Sequence, residues 1–244
     1  MCNRLSLNLD KTHFSVFGAG KSHINFELTI DGTVIKQVNT CKYLGIMIDD
    51  KLSWQDHIDF VYNKVVRFVS IFYRIRHRLS CELSKMMYFA FVYSHLCYGI
   101  EIYGNTYHSY LNKLIILNNK ILRILQNESY RTPVAEFYEN YNTLSIPKLH
   151  NYRILSLVHK FTYHNSKLPI VFSTYFNDNQ LFYEYNTRGK KLLHLTVCHT
   201  SVGHKCIKYK GCKLWNNLPL DLKSITCNKS FNNKLKIFLR SSSD

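Results

Sequence analysis

Residues 39–58 read NTCKYLGIMIDDKLSWQDHI, and the fold of the whole chain depends on how this stretch is interpreted. An apolar run at residues 43–48 ends at two adjacent carboxylates, Asp49 and Asp50, and an amphipathic stretch begins at Trp54. Adjacent aspartates at the end of an apolar strand are one part of a two-metal phosphoryl-transfer site. The stretch is therefore either a catalytic centre or the joint between two structural units.

The residues before this joint have the pattern of β-strands. FELTIDGTVIKQ (residues 26–37) contains two β-prone runs around Asp31-Gly32, a dipeptide typical of two-residue hairpins. CKYLGIMI (residues 41–48) supplies a further, mostly apolar strand. We therefore expect residues 1–50 to form a small N-terminal antiparallel β-sheet, which is marginal in isolation.

After the joint, the spacing of apolar residues changes from two to about three and a half, which predicts an amphipathic helix. Ser53 is the expected N-cap of this helix, and Asp56 favours its positive end. The apolar face consists of Trp54, Ile58, Val61, Val65, Phe68, Phe72, Ile75 and Leu79.

Basic residues are concentrated on this predicted helix and near the C-terminus. The 244 residues contain 32 Lys and Arg against 16 Asp and Glu, a formal net charge of +16. Between residues 186 and 240 there are twelve basic residues against Asp221 alone. Such segments either form solvated polar faces or attract phosphate backbones, and two separate basic regions favour binding of a polyanion. The basic residues of the predicted helix are Lys64, Arg67, Arg74, Arg76 and Arg78.

Further helices are predicted downstream. They cover residues 82–102 and 109–126, a short helix from Pro133 to Tyr141, a helix that starts near Pro147, one that ends before Pro219, and a terminal helix at residues 230–239. Residues 165–205 have no periodicity, so we expect loops. The predicted fold is α+β and predominantly helical, with strands at 1–50, a helical bundle at 51–130, and a loop-rich, partly helical and basic region at 131–244.

Several classes of protein are disfavoured by the sequence. The uncharged segment at residues 86–100 is shorter than the ~20 residues of a spanning helix, which indicates a buried helix and no membrane contact. The eight cysteines form no CxxC pairs, and the spacing around Cys198, His204 and Cys212 does not suit zinc. We expect no metal site and, without a signal peptide, a location in the nucleus or cytoplasm.

Several motifs, in order, resemble the reverse transcriptases of non-LTR (LINE-type) retrotransposons, downstream of the catalytic Tyr-x-Asp-Asp segment. They are LSLNLDKTHFSVFG (5–18), KYLGIMIDDKLSWQDHI (42–58), YSHLCYGIEIYG (93–104), NTRGKKLLHL (186–195), GCKLWNNLPLDLKSI (211–225) and SFNNKLKIFL (230–239). The resemblance implies that residues 1–50 are distal palm strands and 51–130 a helical thumb, followed by a C-terminal extension. It further implies that Lys11 belongs to palm motif D and that Tyr43, Leu44 and Gly45 shape a primer-gripping hairpin.

The resemblance also implies that the catalytic aspartates precede Leu5. A two-metal site needs a third carboxylate from a separate strand, and Asp10 is the single acid available upstream of the predicted sheet. Asp49 and Asp50 are therefore interpreted as turn and pre-helix acids. We expect no catalytic residue and no cofactor in this fragment, whereas the complete family enzyme uses Mg²⁺.

The predicted function is that of a truncated reverse transcriptase, inactive alone, which contacts RNA or an RNA–DNA duplex independently of sequence. Two alternatives stay open: a basic nucleic-acid-binding or interaction protein without a polymerase role, and an inert transposon remnant. The oligomeric state is open as well. The predicted nucleic-acid-binding residues are Lys11, Tyr43, Leu44, Gly45, Lys64, Arg67, Arg74, Arg76 and Arg78.

Overall fold

A computed structural model describes residues 7–17, 27–172, 175–182 and 192–242. The fold is α+β and mostly helical, which confirms the predicted fold class. Two small sheets come first in the chain, and helices follow. The strands are β1 (His13–Phe14), β2 (Leu28–Ile30), β3 (Thr33–Gln37), β4 (Thr40–Tyr43) and β5 (Ile46–Asp49).

The strands form two hairpins and one additional pairing. β2 and β3 pair antiparallel across Asp31 and Gly32, whose φ angles of 48° and 76° suit the predicted tight turn. β4 and β5 also pair antiparallel, so the apolar run at 41–48 is a hairpin and not one continuous strand. The remaining pairing departs from the antiparallel prediction, because β1 lies parallel to β3 on the edge that the β2–β3 hairpin leaves open.

The helices follow the joint at Asp49. They are α1 (Gln55–Val65), α2 (Arg67–Ile75), α3 (Cys81–Tyr88), α4 (Ser94–Cys97), α5 (Ile100–Tyr103), α6 (His108–Leu125), α7 (Ala135–Asn140), α8 (Ile146–Tyr163), α9 (Ser201–Lys205), α10 (Ile207–Asn216), α11 (Leu220–Lys223) and α12 (Asn228–Ser241). A 3₁₀ turn at Arg76–Arg78 ends α2, and a π-helical turn at Phe89–Tyr93 joins α3 to α4. Cys227 is the N-cap of α12.

Two predicted helices are interrupted. The helix that starts after Trp54 has a break in its hydrogen bonding at Val66, although Val66 keeps helical dihedral angles. The predicted helix at 82–102 ends after Cys97, because Tyr98 is extended and Gly99 adopts the left-handed region with a φ of 71°. No helix in the described part of the chain is long and apolar enough to span a membrane.

The core is built around the two 18-residue helices. α6 packs against α1, α2 and α3, while α8 packs against α5, α10 and α12. The buried apolar side chains between Ile58 and Leu239 belong to one connected cluster. Where the structure describes the predicted loops at 165–205, which excludes residues 173–174 and 183–191, they contain short 3₁₀ turns, a β-bridge between Asp178 and Leu193, and α9. The proposed boundaries at residues 50 and 130 stay predictions.

Candidate nucleic-acid interface

The tip of the β4–β5 hairpin exposes apolar side chains on a fixed backbone. Leu44 and Gly45 form the turn with φ angles of 46° and 83°, the pair of left-handed residues that a type I′ hairpin requires. Tyr43 is 65% exposed and Leu44 is 72% exposed. These side chains are therefore available to a ligand without any rearrangement of the hairpin.

The junction of α4 and α5 supports the hairpin from one side. The Tyr98 hydroxyl donates a hydrogen bond to the carbonyl oxygen of Leu44. A Cβ atom at Gly45 would lie 3.3 Å from Cε1 of Tyr98, and a Cβ atom at Gly99 would lie 2.7 Å from Cδ1 of Ile46. The hairpin and the helical junction thus approach closely at two positions whose φ angles of 83° and 71° also favour glycine.

A cavity of about 270 Å³ lies between the hairpin, α1 and α4. The ammonium group of Lys64 lies 4.3 Å from the centroid of the Phe60 ring, and that of Lys42 lies 5.0 Å from the same centroid. Both charges are therefore held beside the hairpin by cation–π contacts. The lining residues include Gly45, His57, Phe60, Lys64, His95 and Tyr98.

His57 joins the hairpin to α1 as a neutral, buried histidine. Its Nδ1 accepts a hydrogen bond of 3.2 Å from the backbone amide of Met47, so the hydrogen of the neutral ring lies on Nε2. Burial and, secondarily, the charge of Lys64 lower the pKa of His57 to about 4. The same two causes lower the pKa of His95. At neutral pH the positive charge of this cavity therefore comes from lysine.

Asp49 closes the hairpin and starts the helix, as a structural acid. Its two carboxylate oxygens accept the backbone amides of Ser53 and Trp54, each at 2.8 Å. Burial favours a raised pKa for Asp49, but these hydrogen bonds outweigh it and hold the pKa below its usual value. Ser53, the predicted N-cap, is not the N-cap: Trp54 occupies that position with a φ of 65° and without a side-chain cap.

The predicted basic residues of α1 and α2 do not all share one face. At about 100° per residue, Lys64, Arg67 and Arg74 fall within a sector of about 80°, and all three are exposed. Arg76 points elsewhere: it is half-buried, stacks on Tyr73 at 4.4 Å and donates a hydrogen bond of 3.1 Å to His77. Arg78 is exposed at the end of the 3₁₀ turn.

Lys11 lies in a different part of the molecule. It ends a 3₁₀ turn, Leu9–Lys11, that leads into β1, and it is exposed. It is not among the residues that line the cavity beside the hairpin. The structure therefore brings Gly45 and Lys64 together, with Tyr43 and Leu44 on the same hairpin, and leaves Lys11 outside this site.

The residues that complete the site were missed by sequence reasoning. Sequence analysis gives no individual role to these residues, because they are far apart in the sequence or lie inside longer motifs. They are Lys42, His57, Phe60 and Tyr98. The one available signal was Tyr98-Gly99, since a glycine in an apolar helical pattern marks a break. In the described part of the chain, no group of three His, Cys, Asp or Glu residues could hold a metal ion.

Comparison with known proteins finds similarity to polymerases of mobile elements. Over 126 residues the chain is 30% identical to an RNA-directed DNA polymerase from mobile element jockey of Drosophila melanogaster, covering 50% of this chain and 13% of that protein. It is 28% identical over 99 residues to the jockey enzyme of Drosophila funebris, covering 39% of this chain and 11% of that protein.

A third relative is a probable RNA-directed DNA polymerase from transposon X-element of Drosophila melanogaster, 24% identical over 99 residues, or 39% of this chain and 11% of that protein. No family model and no solved structure matches the chain. The chain spans about an eighth of the length of the curated relatives it matches. These similarities confirm the resemblance inferred from the motifs, and the chain is a relative of the RNA-directed DNA polymerases of non-LTR retrotransposons.

Proposed function

We propose that this chain is the part of a LINE-type reverse transcriptase that holds an RNA or RNA–DNA duplex by its sugar–phosphate backbone. The proposal rests on the sequence relationship together with the placement of the hairpin tip beside Lys64. Backbone contacts of this kind position a duplex without reading its sequence. The region from Gln55 to Arg78 then acts as the duplex-contacting part of a thumb.

The observation that carries the proposal is the line of exposed cations along α1 and α2. Lys64, Arg67, Arg74 and Arg78 form no salt bridge with any described residue. At about 1.5 Å per residue the line extends over about 20 Å. That length corresponds to the rise of about six base pairs along a duplex. Charges without acidic partners are available to phosphates at no cost in broken ion pairs.

The hairpin tip contributes a second kind of contact. Tyr43 and Leu44 project from a turn that is fixed by Tyr98 and Gly99. Aromatic and apolar side chains on a rigid backbone pack against sugars and bases whatever the base sequence. Lys42 and Lys64 flank this tip, so the apolar contact and the charged contact can engage the same strand.

We further propose that the chain does not carry out nucleotide transfer by itself and corresponds to a truncated enzyme. Both oxygens of Asp49 are occupied by backbone amides, so this carboxylate is committed to the joint between hairpin and helix. The Mg²⁺-dependent chemistry then belongs to the complete enzyme. Primer extension by the isolated chain with Mg²⁺ and deoxynucleotides would contradict this part of the proposal.

The test of duplex binding is its dependence on salt. Fluorescence anisotropy with an RNA–DNA hybrid gives the dissociation constant at several KCl concentrations, and two hybrids of unrelated sequence should bind equally. The double variant Arg67→Gln/Arg74→Gln should lower the slope of log K against log salt by about 1.8, because each lost phosphate contact contributes about 0.9.

Exposed lysines on other helices provide the matched control. The double variant Lys160→Gln/Lys167→Gln, near the end of α8 and in the 3₁₀ turn that follows it, removes the same charge and should leave the slope unchanged. An equal loss of slope in both double variants would show that net charge, and not the surface of α1 and α2, determines binding. Absence of binding at low salt would refute the proposal.

A further inference from the structure

A second cavity, of about 340 Å³, lies where α6, α7, α8 and α12 meet. Its volume is at the lower end of the range for small-molecule pockets, about 300–1,000 Å³. A duplex cannot enter a space of this size, so the occupant is a small ligand or the end of a single strand. The cavity shares no lining residue with the one beside the hairpin.

Two long helices begin at this cavity. α6 contributes His108, its first residue, and α8 contributes Ser145, Pro147 and Lys148 from its N-cap and first turn. Neither helix has a side-chain cap at its N-terminus. The positive ends of two 18-residue helices therefore act on the same cavity, and uncapped helix N-termini bind phosphate through their backbone amides, of which Pro147 has none.

Two buried donors at the cavity have no acceptor. The Ser145 hydroxyl and Nε of Arg240 are buried and make no hydrogen bond to any described residue. Arg240 is held in place because one of its Nη atoms donates to Oδ1 of Asn142. A buried donor without an acceptor is costly, so both groups would gain from an acceptor that a bound ligand brings within reach.

The charges at the cavity favour an anion. Arg240 and Lys148 are both lining residues, and the ammonium group of Lys148 is positioned by a 2.7 Å hydrogen bond to the carbonyl oxygen of Ser242. Glu139 also lines the cavity, but it is exposed, so solvent screens its charge. The two half-buried charges that line the cavity are therefore both positive.

Part of the cavity wall is apolar and suits a flat ring. It is formed by Ile115, Val134, Leu144 and the ring of Tyr138. We infer that this cavity binds a nucleoside 5′-phosphate, with the phosphate at Arg240, Ser145 and the first turn of α8, and the base against the apolar wall. The ligand is either a free mononucleotide or the phosphorylated terminal nucleotide of a strand.

Isothermal titration of the purified chain tests this inference with four probes: AMP, adenosine, a 5′-phosphorylated tetranucleotide and its 5′-hydroxyl counterpart. AMP should bind saturably and adenosine at least about tenfold more weakly, since it lacks the phosphate. Arg240→Gln should weaken AMP binding by about 10- to 100-fold, because it removes a charge-assisted hydrogen bond. Lys234→Gln, an exposed position on the same helix, should have no effect.

Two further variants keep the test decisive if Arg240→Gln does not fold. Ser145→Ala should also weaken AMP binding, and Ala135→Trp should abolish it, because Ala135 is an exposed lining residue from which the indole would fill the cavity. Preference for the phosphorylated tetranucleotide over AMP identifies a strand end as the ligand, and the reverse identifies a free nucleotide. Failure of both phosphorylated probes to bind, or affinities unchanged in Ser145→Ala and Ala135→Trp, would overturn the inference. No probe is a duplex, so the result is independent of the function proposed above.

Discussion

The Asp49 carboxylate fixes the angle at which the first helix leaves the hairpin. It accepts the amides of Ser53 and Trp54 across a turn in which Leu52 also has a positive φ of 51°. A capping rule that considers adjacent residues selects Ser53, because Ser53 directly precedes the apolar period. The residue that accepts the Ser53 and Trp54 amides is Asp49, four residues before Ser53. It is recognised only when the path of the intervening turn is known.

Replacing Asp49 by asparagine tests this role. Asn provides one acceptor oxygen where Asp provides two charged ones, so one of the two half-buried amides loses its partner. We expect Asp49→Asn to lower the free energy of unfolding by about 1.5–3 kcal/mol, the typical value for hydrogen bonds to a charged group. Urea denaturation followed by circular dichroism measures the change.

Asp50 supplies the control for this substitution. Asp50 is only partly buried, and its backbone amide donates a hydrogen bond to the Asn39 carbonyl oxygen. The substitution preserves this hydrogen bond. Asp50→Asn should therefore change stability by less than about 0.5 kcal/mol. Equal losses from the two variants would show that the hydrogen bonds accepted by Asp49 do not specifically stabilise the turn before α1.

Among the elements, the hairpin depends on the α4–α5 junction for its position. Gly99→Ala places a methyl group 2.7 Å from Cδ1 of Ile46 at a residue with a φ of 71°. We expect a loss of about 1–3 kcal/mol in unfolding free energy, since backbone strain and steric contact both oppose the substitution. Affinity for an RNA–DNA hybrid should fall as well, because the hairpin tip moves away from Lys64.

Gly32 separates the two causes. It has a similar φ of 76°, and a Cβ atom there would meet nothing within 4 Å. Gly32→Ala should therefore cost about 1 kcal/mol from backbone strain alone and leave affinity for the hybrid unchanged. A loss of hybrid affinity in Gly32→Ala equal to that in Gly99→Ala would contradict the role given to the α4–α5 junction.

Periodicity predicted both ends of α6, α7 and α12 to within two residues. α6 occupies His108–Leu125 where 109–126 was predicted, and α12 covers the predicted segment 230–239. Interruptions were less predictable. Val66 keeps helical dihedral angles, so the change in hydrogen bonding beside it leaves the apolar spacing intact. The pairing of β1 with β3 depends on which sheet edge the other strands leave open, which the sequence pattern does not contain.

Across the whole molecule, buried histidines make stability depend on pH. Burial, and after it the charge of Lys64, lowers the pKa of His57 to about 4, while burial, and after it the charge of Lys210, lowers the pKa of His150 to about 3. In the unfolded chain both titrate near 6.5. Below pH 6.5 the unfolded state therefore binds protons that the folded state does not, and stability is lost as the pH falls.

We expect the free energy of unfolding to decrease by about 2 kcal/mol for each of these histidines between pH 7.5 and pH 5. Urea denaturation at a series of pH values measures the slope. His57→Asn keeps an acceptor for the Met47 amide and removes the titrating group. The slope of the unfolding free energy against pH, between pH 6.5 and 4, should therefore decrease by the equivalent of about one bound proton. An unchanged slope would contradict the assignment of a neutral, buried His57.

The order of motifs along the sequence was enough to indicate the polymerase relationship, but not the three-dimensional sites. The cavity beside the hairpin combines Gly45, Lys64 and Tyr98, and the second cavity combines residues from α6 to Arg240. Each motif is a local pattern, whereas the first site arises from the packing of α1 against the hairpin and α4, and the second from the packing of α6 against α7 and of α8 against α12. Sequence periodicity determines which face of a helix is buried, but not which neighbour covers it.

The N-cap of α12 has a practical consequence for studying this protein. The thiol of Cys227 is exposed, and hydrogen bonds from Ser230 and the backbone of Lys229 lower its pKa. A thiol with a lowered pKa is more ionised at neutral pH and reacts faster with maleimides. Cys227 lines neither cavity. It therefore offers an attachment point for a fluorophore that leaves both cavities open to ligands.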